Sequence, residues 1–402
     1  MNKTRSFRFG LIALVGILLA SFQGQSFASN TNTALSTKGA KPAGAGRDYT
    51  ALYTIVSPGN GKSGTSVGPL AIRKDGSAII SSNPPGVHGN LLAQGQLGIQ
   101  NGKSRTWFPI QSGSKPRQIF EAVASGKSIF WGETPNTDMA LDWSLFSATV
   151  GQPVPKLIAD SFDLLKSTEI PWPPGMQMLA TDGSNVWWVM VYPTSKSQSG
   201  WGARIMVRDI GARKPMKIAV DRAMMPTAIA RGFVYARSKD VDPSMKSNRY
   251  EIRLLKDGVD TLISSGSLTK DQHISSLCAS DTLLAWGVGA VSTSKVILNG
   301  EPFGHLHVMT LATKVQRIVS LGNSALGLSL GCGTNFVAWG NGSGAGDAGQ
   351  YVMNVPSGKI WKLGSNQGLS AVLVAGNYLG WALPIPSGVQ TANWRVVKWH
   401  GV

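Results

Sequence analysis

The chain is poor in cysteine, histidine and acid: two cysteines, five histidines and 21 aspartates plus glutamates in 402 residues. Each scarcity removes a class of protein. Two cysteines cannot frame a disulfide-rich mini-domain or a four-cysteine zinc site. His88, His273, His305, His307 and His400 are too few and too scattered to announce a metal centre. Beyond residue 22 no apolar run is long enough to cross a bilayer. No long stretch repeats its apolar residues at the 3.6-residue period of a helix, which argues against bundles and doubly wound α/β folds. The motifs G-x-S-x-G, H-E-x-x-H and the phosphate loop are absent, so no cofactor is expected. The glycine-rich GNGSGAG at 340–346 lies between two strand patterns and lacks the helix and lysine that phosphate binding uses.

The first thing present is a targeting pattern. Lys3, Arg5 and Arg8 precede an apolar run from Phe9 to Phe22, and Ser26-Phe27-Ala28 supplies small residues for cleavage. Residues 1–28 therefore read as a signal peptide, and no membrane anchor is expected once it is removed. Residues 29–46 are mostly Ser, Thr, Asn, Ala and Gly with two lysines, the composition of a flexible leader. Residues 47–402 remain as one domain. The protein is expected to be exported, whether secreted, periplasmic or wall-associated.

Lysine and arginine number 38, giving a formal charge of +17 that falls to +14 when residues 1–28 are removed. Such basicity favours a polyanionic neighbour. Exported basic proteins without a specific ligand are the alternative. A nucleic-acid partner is set aside, because export and the absence of a recognition motif both oppose it.

A repeat organises the domain. SGKSIFWG at 125–132, ASDTLLAWG at 279–287 and CGTNFVAWG at 332–340 say nearly the same thing. Aligned on the aromatic, the copies carry Trp131, Trp188, Tyr235, Trp286, Trp339 and Trp381, at spacings of 57, 47, 51, 53 and 42 residues. One period upstream, Gly76 to Ser81 fits the frame with Ser81 in the aromatic position. Periods of this size mean propellers or solenoids. Each copy reads as four antiparallel strands with tight Gly/Asp/Asn/Ser turns. The expectation is all-β: a β-propeller of seven four-stranded blades, six or eight staying open because the first copy is irregular. The last copy lacks a fourth strand, and Tyr49 to Val56 is a strand without a copy. Pairing the two would close the ring and remove an exposed edge. A monomer is expected.

The small-Gly-x-x-apolar-apolar-Trp pattern over residues 50–402 resembles the TolB-like and WD40-like exported propellers of bacteria. That resemblance implies the architecture; the family hosts scaffolds, binders and enzymes, so it implies no activity. The Trp-Asp pairs of eukaryotic WD repeats are absent.

Cys278 stands eight residues before Trp286 and Cys332 seven before Trp339, so both fall on innermost strands of neighbouring blades, one residue out of phase. That offset turns them toward each other across the seam. A disulfide is expected; two buried thiols are the alternative.

Loop lengths are lopsided. First-to-second and third-to-fourth turns are short, whereas second-to-third connections are long and share a face with the blade-to-blade connections. Binding residues gather on such a face. It should display Trp201, Trp172, Lys196, Lys246 and Arg249, a set suited to an anionic glycan: indole stacks on sugar and cations hold carboxylate or sulfate. Trp172, set among prolines, suits local packing equally well. The leading expectation is a non-enzymatic binding or scaffold protein engaging an anionic polysaccharide or an envelope protein. The alternative is a polysaccharide lyase or glycosidase, for which His305, His307, Glu133 and Asp138 are the weak catalytic candidates.

Overall fold

The computed structural model describes residues 35–57, 65–84, 93–110, 116–135, 143–161, 178–193, 201–211, 216–239, 241–242, 244–245, 248–269, 272–290, 304–321, 329–341, 349–364, 371–385 and 392–401. These form seven sheets, each built on a four-stranded antiparallel meander. Among the described residues no helix is long and apolar enough to cross a membrane.

Blade 1 comprises Ser66–Ile72, Ala78–Asn83, Gln96–Asn101 and Ser104–Trp107; blade 2 comprises Gln118–Ser125, Ser128–Thr134, Ser144–Thr149 and Gln152–Asp160. Blade 3 is Leu179–Thr181, Asn185–Pro193, Trp201–Asp209 and Lys217–Asp221, and blade 4 is Met224–Ile229, Gly232–Ser238, Arg249–Lys256 and Val259–Ser267. Blade 5 holds Gln272–Ala279, Leu283–Ala290, His305–Thr310 and Gln316–Ser320; blade 6 holds Ser329–Cys332, Phe336–Asn341, Gly349–Asn354 and Ile360–Gly364. Blade 7 contributes Val372–Ala375, Tyr378–Ala382 and Trp394–Trp399, and takes Tyr49–Ile55 as its outermost strand.

The first strand of each blade touches the first strand of the next, and that of blade 7 touches that of blade 1. This is a closed seven-bladed propeller. Closure is by Tyr49–Ile55, antiparallel to the last strand, with Tyr49 opposite Trp399 and Ile55 opposite Trp394.

The repeating aromatics fill the seams. Trp131, Trp188, Tyr235, Trp286, Trp339 and Trp381 are at most 2% exposed. Each side chain points back at the preceding blade, so one large ring per seam excludes water where two twisted sheets meet. In three blades the ring is capped by a planar side chain from the third strand: Trp131 on Phe146, Trp286 on His307 and Trp339 on Tyr351. In blade 7 the Arg395 guanidinium lies 5.8 Å from the Trp381 ring.

Two expectations are corrected. In blade 1 the aromatic position belongs to Ile80, not Ser81: Ile80 packs with Ile55, Trp394 and Val396 at the seam with blade 7, whereas Ile79 faces blade 2. The cause is the turn. Arg73 to Ser77 separate the paired Ile72 and Ala78, so the frame slips relative to blades whose turn has two residues. Opposite Ile80 stands Gly98, and the Trp107 indole occupies the space a β-carbon there would take. The missing aromatic is supplied from the outer strand.

The second correction concerns the leader. Its described part, residues 35–46, is packed rather than loose. Leu35–Ser36 adds in parallel to the outer strand of blade 5, and Lys41–Pro42 adds in parallel to that of blade 6. Leu35 and Ala40 pack against the core between these blades. The segment is a belt that covers two sheet edges before entering blade 7.

The expected disulfide is present. Cys278 and Cys332 join neighbouring inner strands with Cα atoms 5.6 Å apart.

Candidate functional site

Meander topology divides the ends of the ring as the loop lengths suggested. The short-turn end carries the first-to-second and third-to-fourth turns. At the long-loop end each third strand begins, and the first residues of those strands form one rim: Gln96, Ser144, Trp201, Arg249, His305, Gly349 and Trp394. Three residues singled out from the sequence, Trp201, Arg249 and His305, thus hold equivalent positions on blades 3, 4 and 5.

Arg249 is exposed and its backbone pairs with Ser267. Trp201 pairs with Pro193 at the mouth of the long hairpin; its side chain is outside what is described. Trp172, Lys196, Lys246 and Asp138 lie outside the described residues.

Beside Arg249, at the seam between blades 3 and 4, is a cluster that sequence reading missed. Asp242 is 2% exposed. One of its oxygens accepts from Arg222 at 3.0 Å and from the Ser244 hydroxyl and amide; the other accepts from Arg237 at 2.8 Å. Burial by itself would push this carboxyl up, but Ser244, Arg222 and Arg237 outweigh it and hold the acid below its ordinary range. Two guanidiniums share one carboxylate, so the cluster keeps a net positive charge. Arg222 is 46% exposed and can present its unused edge to an anion. No spacing motif marks the three residues: Arg222 lies in a blade-to-blade connection, Arg237 near the end of a strand and Asp242 in the long loop that follows it.

The enzymatic candidates are not gathered together. His305 and His307 share a strand face, opposite Val288 and Trp286. His307 is parallel to the Trp286 indole at 4.9 Å, and its Nδ1 is 2.8 Å from the Gln316 amide nitrogen. Burial, with a smaller contribution from His305, lowers its pKa to about 4. It is a packing residue that stays neutral above that pH. His305 sits at the rim, with a buried Nδ1 that has no hydrogen-bond partner among the described residues. Glu133 is three blades away from this pair; its Oε1 accepts from Trp131 Nε1 at 2.7 Å, and burial pushes its pKa up. It lines a polar crevice with Gln94, Gln96, Phe108 and Ile110 between blades 1 and 2. Glu121, a further buried acid, receives the backbone N–H groups of Met178 and Leu179 and so fixes the start of blade 3. Among the described residues no three His, Cys, Asp or Glu side chains gather as a metal site would require.

Solved structures share this architecture. An oligogalacturonate lyase in complex with manganese aligns with a TM-score of 0.51, covering 88% of this chain and 98% of its own at 9% identity. An acylaminoacyl peptidase in complex with Z-Gly-Gly-Phe-chloromethyl ketone also gives 0.51, covering 84% of this chain at 12% identity. This chain spans about half of that peptidase, 51% of its length. At these identities the likeness is one of fold. No protein-family model matches the chain, and no curated protein matches it.

Proposed function

We propose that the protein is an exported propeller of the TolB-like kind that binds anionic glycans at the long-loop face of blades 3 to 5, without turning them over. The observation that carries this reading is the Arg222–Asp242–Arg237 cluster with exposed Arg249 on the adjoining rim. A buried aspartate holds the arginines in place and leaves cationic edges for a carboxylate or sulfate, while the strand register puts Trp201 on the neighbouring blade. Lys196 and Lys246 belong to the long loops of the same two blades and would add to the field. The function is electrostatic capture plus stacking, which asks nothing of a general acid or base.

The alternative is a lyase or glycosidase. It draws on the Nδ1 of rim residue His305, unpartnered among the described residues, and on the fold shared with the oligogalacturonate lyase. Likeness of fold does not transfer a reaction, and His307 is committed to the Trp286 stack.

The test is retention of the exported protein on neutral and acidic polysaccharides at two salt concentrations, with products weighed by mass spectrometry. Salt-sensitive retention on acidic chains, reduced at least tenfold by Arg249→Ala or Trp201→Ala, supports the binding reading. Shortened or unsaturated products would replace it with the enzyme. No retention on any polysaccharide would point to an envelope protein as partner.

A further inference from the structure

The opposite face of the ring has a different charge design. Its turns carry Lys74 and Lys103 in blade 1, Lys127 in blade 2, Lys256 in blade 4, Lys314 in blade 5 and Lys359 in blade 6. All six are exposed and none forms an ion pair among the described residues; Lys359 lies over the Trp361 ring at 4.6 Å, and its charge is felt by Asp48. The acids of this face are all occupied. Asp48, Asp75 and Asp257 pair with Arg47, Arg73 and Arg231 at 2.8, 2.8 and 2.6 Å. Asp182, Asp209 and Asp281 accept backbone N–H groups of the turns. Arginine neutralises Asp48, Asp75 and Asp257, while Asp182, Asp209 and Asp281 keep their negative charge as they shape the turns, so the six lysines set against them leave the face net positive.

The platform bearing these lysines is rigid. Arg73 donates to the Gly126 carbonyl, Ser128 to that of Gly183, Ala230 N–H to Asp281, Thr282 to the Thr334 carbonyl, and Thr334 N–H to that of Gly376. Neighbouring turns are therefore stitched blade to blade. Among the described residues the turns of this face are short, with no long loop to fold over it. An ammonium group is a point charge that demands no particular ligand geometry.

We propose that the short-turn face docks the protein on an anionic lipid surface, leaving the long-loop face turned outward. Six dispersed lysines on a ring of short, cross-linked turns match a sheet of phosphate headgroups, which offers charge in every direction. A single polymer strand would meet only a few of them. The interaction is peripheral, reversible and screened by salt. It is independent of the glycan reading, because it uses the other end of the ring.

The experiment is sedimentation of the full exported chain with vesicles of phosphatidylcholine alone and of phosphatidylcholine containing one-third phosphatidylglycerol, at low and at high salt. Binding is expected only to the anionic vesicles and only at low salt. Each lysine near the surface contributes roughly fivefold to partitioning, so Lys103→Glu/Lys256→Glu/Lys314→Glu should bind on the order of a hundredfold more weakly or worse. The three side chains are exposed and form no ion pair among the described residues, so the variant should keep the wild-type melting curve, which is recorded alongside. Arg249→Ala and Trp201→Ala, on the far face, should bind vesicles as the wild type does. Equal sedimentation with neutral vesicles, or an unaffected triple variant, would overturn the proposal. So would retention by soluble polyphosphate without vesicle binding, which would assign the face to a polymer.

Discussion

Cys278 and Cys332 are bonded across the seam between blades 5 and 6, on adjacent inner strands. The same seam is crossed at its outer rim by the belt, which passes from Leu35–Ser36 on blade 5 to Lys41–Pro42 on blade 6. One junction of the ring is therefore fastened at both radii, by a covalent bond inside and by added strands outside.

The bond closes 54 residues of chain. On chain-entropy grounds, Cys278→Ser/Cys332→Ser should lose about 4 kcal/mol of stability. Denaturant titration of the variant against wild type measures this. Equal midpoints would mean that the belt alone holds the seam.

The belt protects two edges that would otherwise offer free N–H and C=O groups. A chain beginning at Ala43 should therefore self-associate through Gln316–Ser320 and Ile360–Gly364. Light scattering on mild warming reads the association, and hydrogen exchange at those strands should quicken. Unchanged exchange would make the belt incidental.

His307 is neutral when folded, with a pKa of about 4, below the roughly 6.5 of a free histidine. The unfolded chain thus binds the extra proton first as pH falls. This contribution to stability is intact above about pH 6.5, declines between there and about pH 4, and is gone below. The shift corresponds to roughly 3 kcal/mol. Phe146 and Tyr351 hold the equivalent stacking place on Trp131 and Trp339, so His307→Phe should fold and flatten the pH dependence in that window. A slope that survives the substitution would assign the titration elsewhere.

Asp242 behaves in the opposite chemical sense with the same acid-side outcome. Its folded pKa lies below the unfolded value. The ionised form therefore stabilises the fold fully above the ordinary carboxylate range, and that gain disappears as pH drops through the folded pKa. Asp242→Asn should lower stability at neutral pH, narrow the gap to wild type in acid, and weaken glycan retention by releasing Arg222 and Arg237. Retention unchanged in a folded variant would remove the cluster from the site.

The architecture was legible in the sequence because it is carried by repetition and alternation. A buried aromatic recurring near every fifty residues needs only local pattern to be seen. The orphan strand at Tyr49, the missing strand after Trp399 and the phase of Cys278 against Cys332 all follow from counting within that frame. The division of the two faces by loop length follows in the same way. Trp201 and Arg249 were assigned to the long-loop face by that count, and each begins the third strand of its blade.

What only the tertiary structure decided involves partners remote in sequence. A belt of small and polar residues has no strand pattern of its own; Leu35 and Lys41 become strands because edges near Val319 and Trp361 accept them. His307 read as a weak catalytic candidate from the sequence; its stack on Trp286 is set by the packing of the folded blade. Trp107 fills the seam above Gly98 because Ile80 is too small to do so. Arg222, Arg237 and Asp242 meet because a blade seam folds a connection against a loop. Periodicity records which face a side chain takes within its own sheet. Which neighbour it finds there depends on how the twisted sheets pack, and only the closed ring determines that.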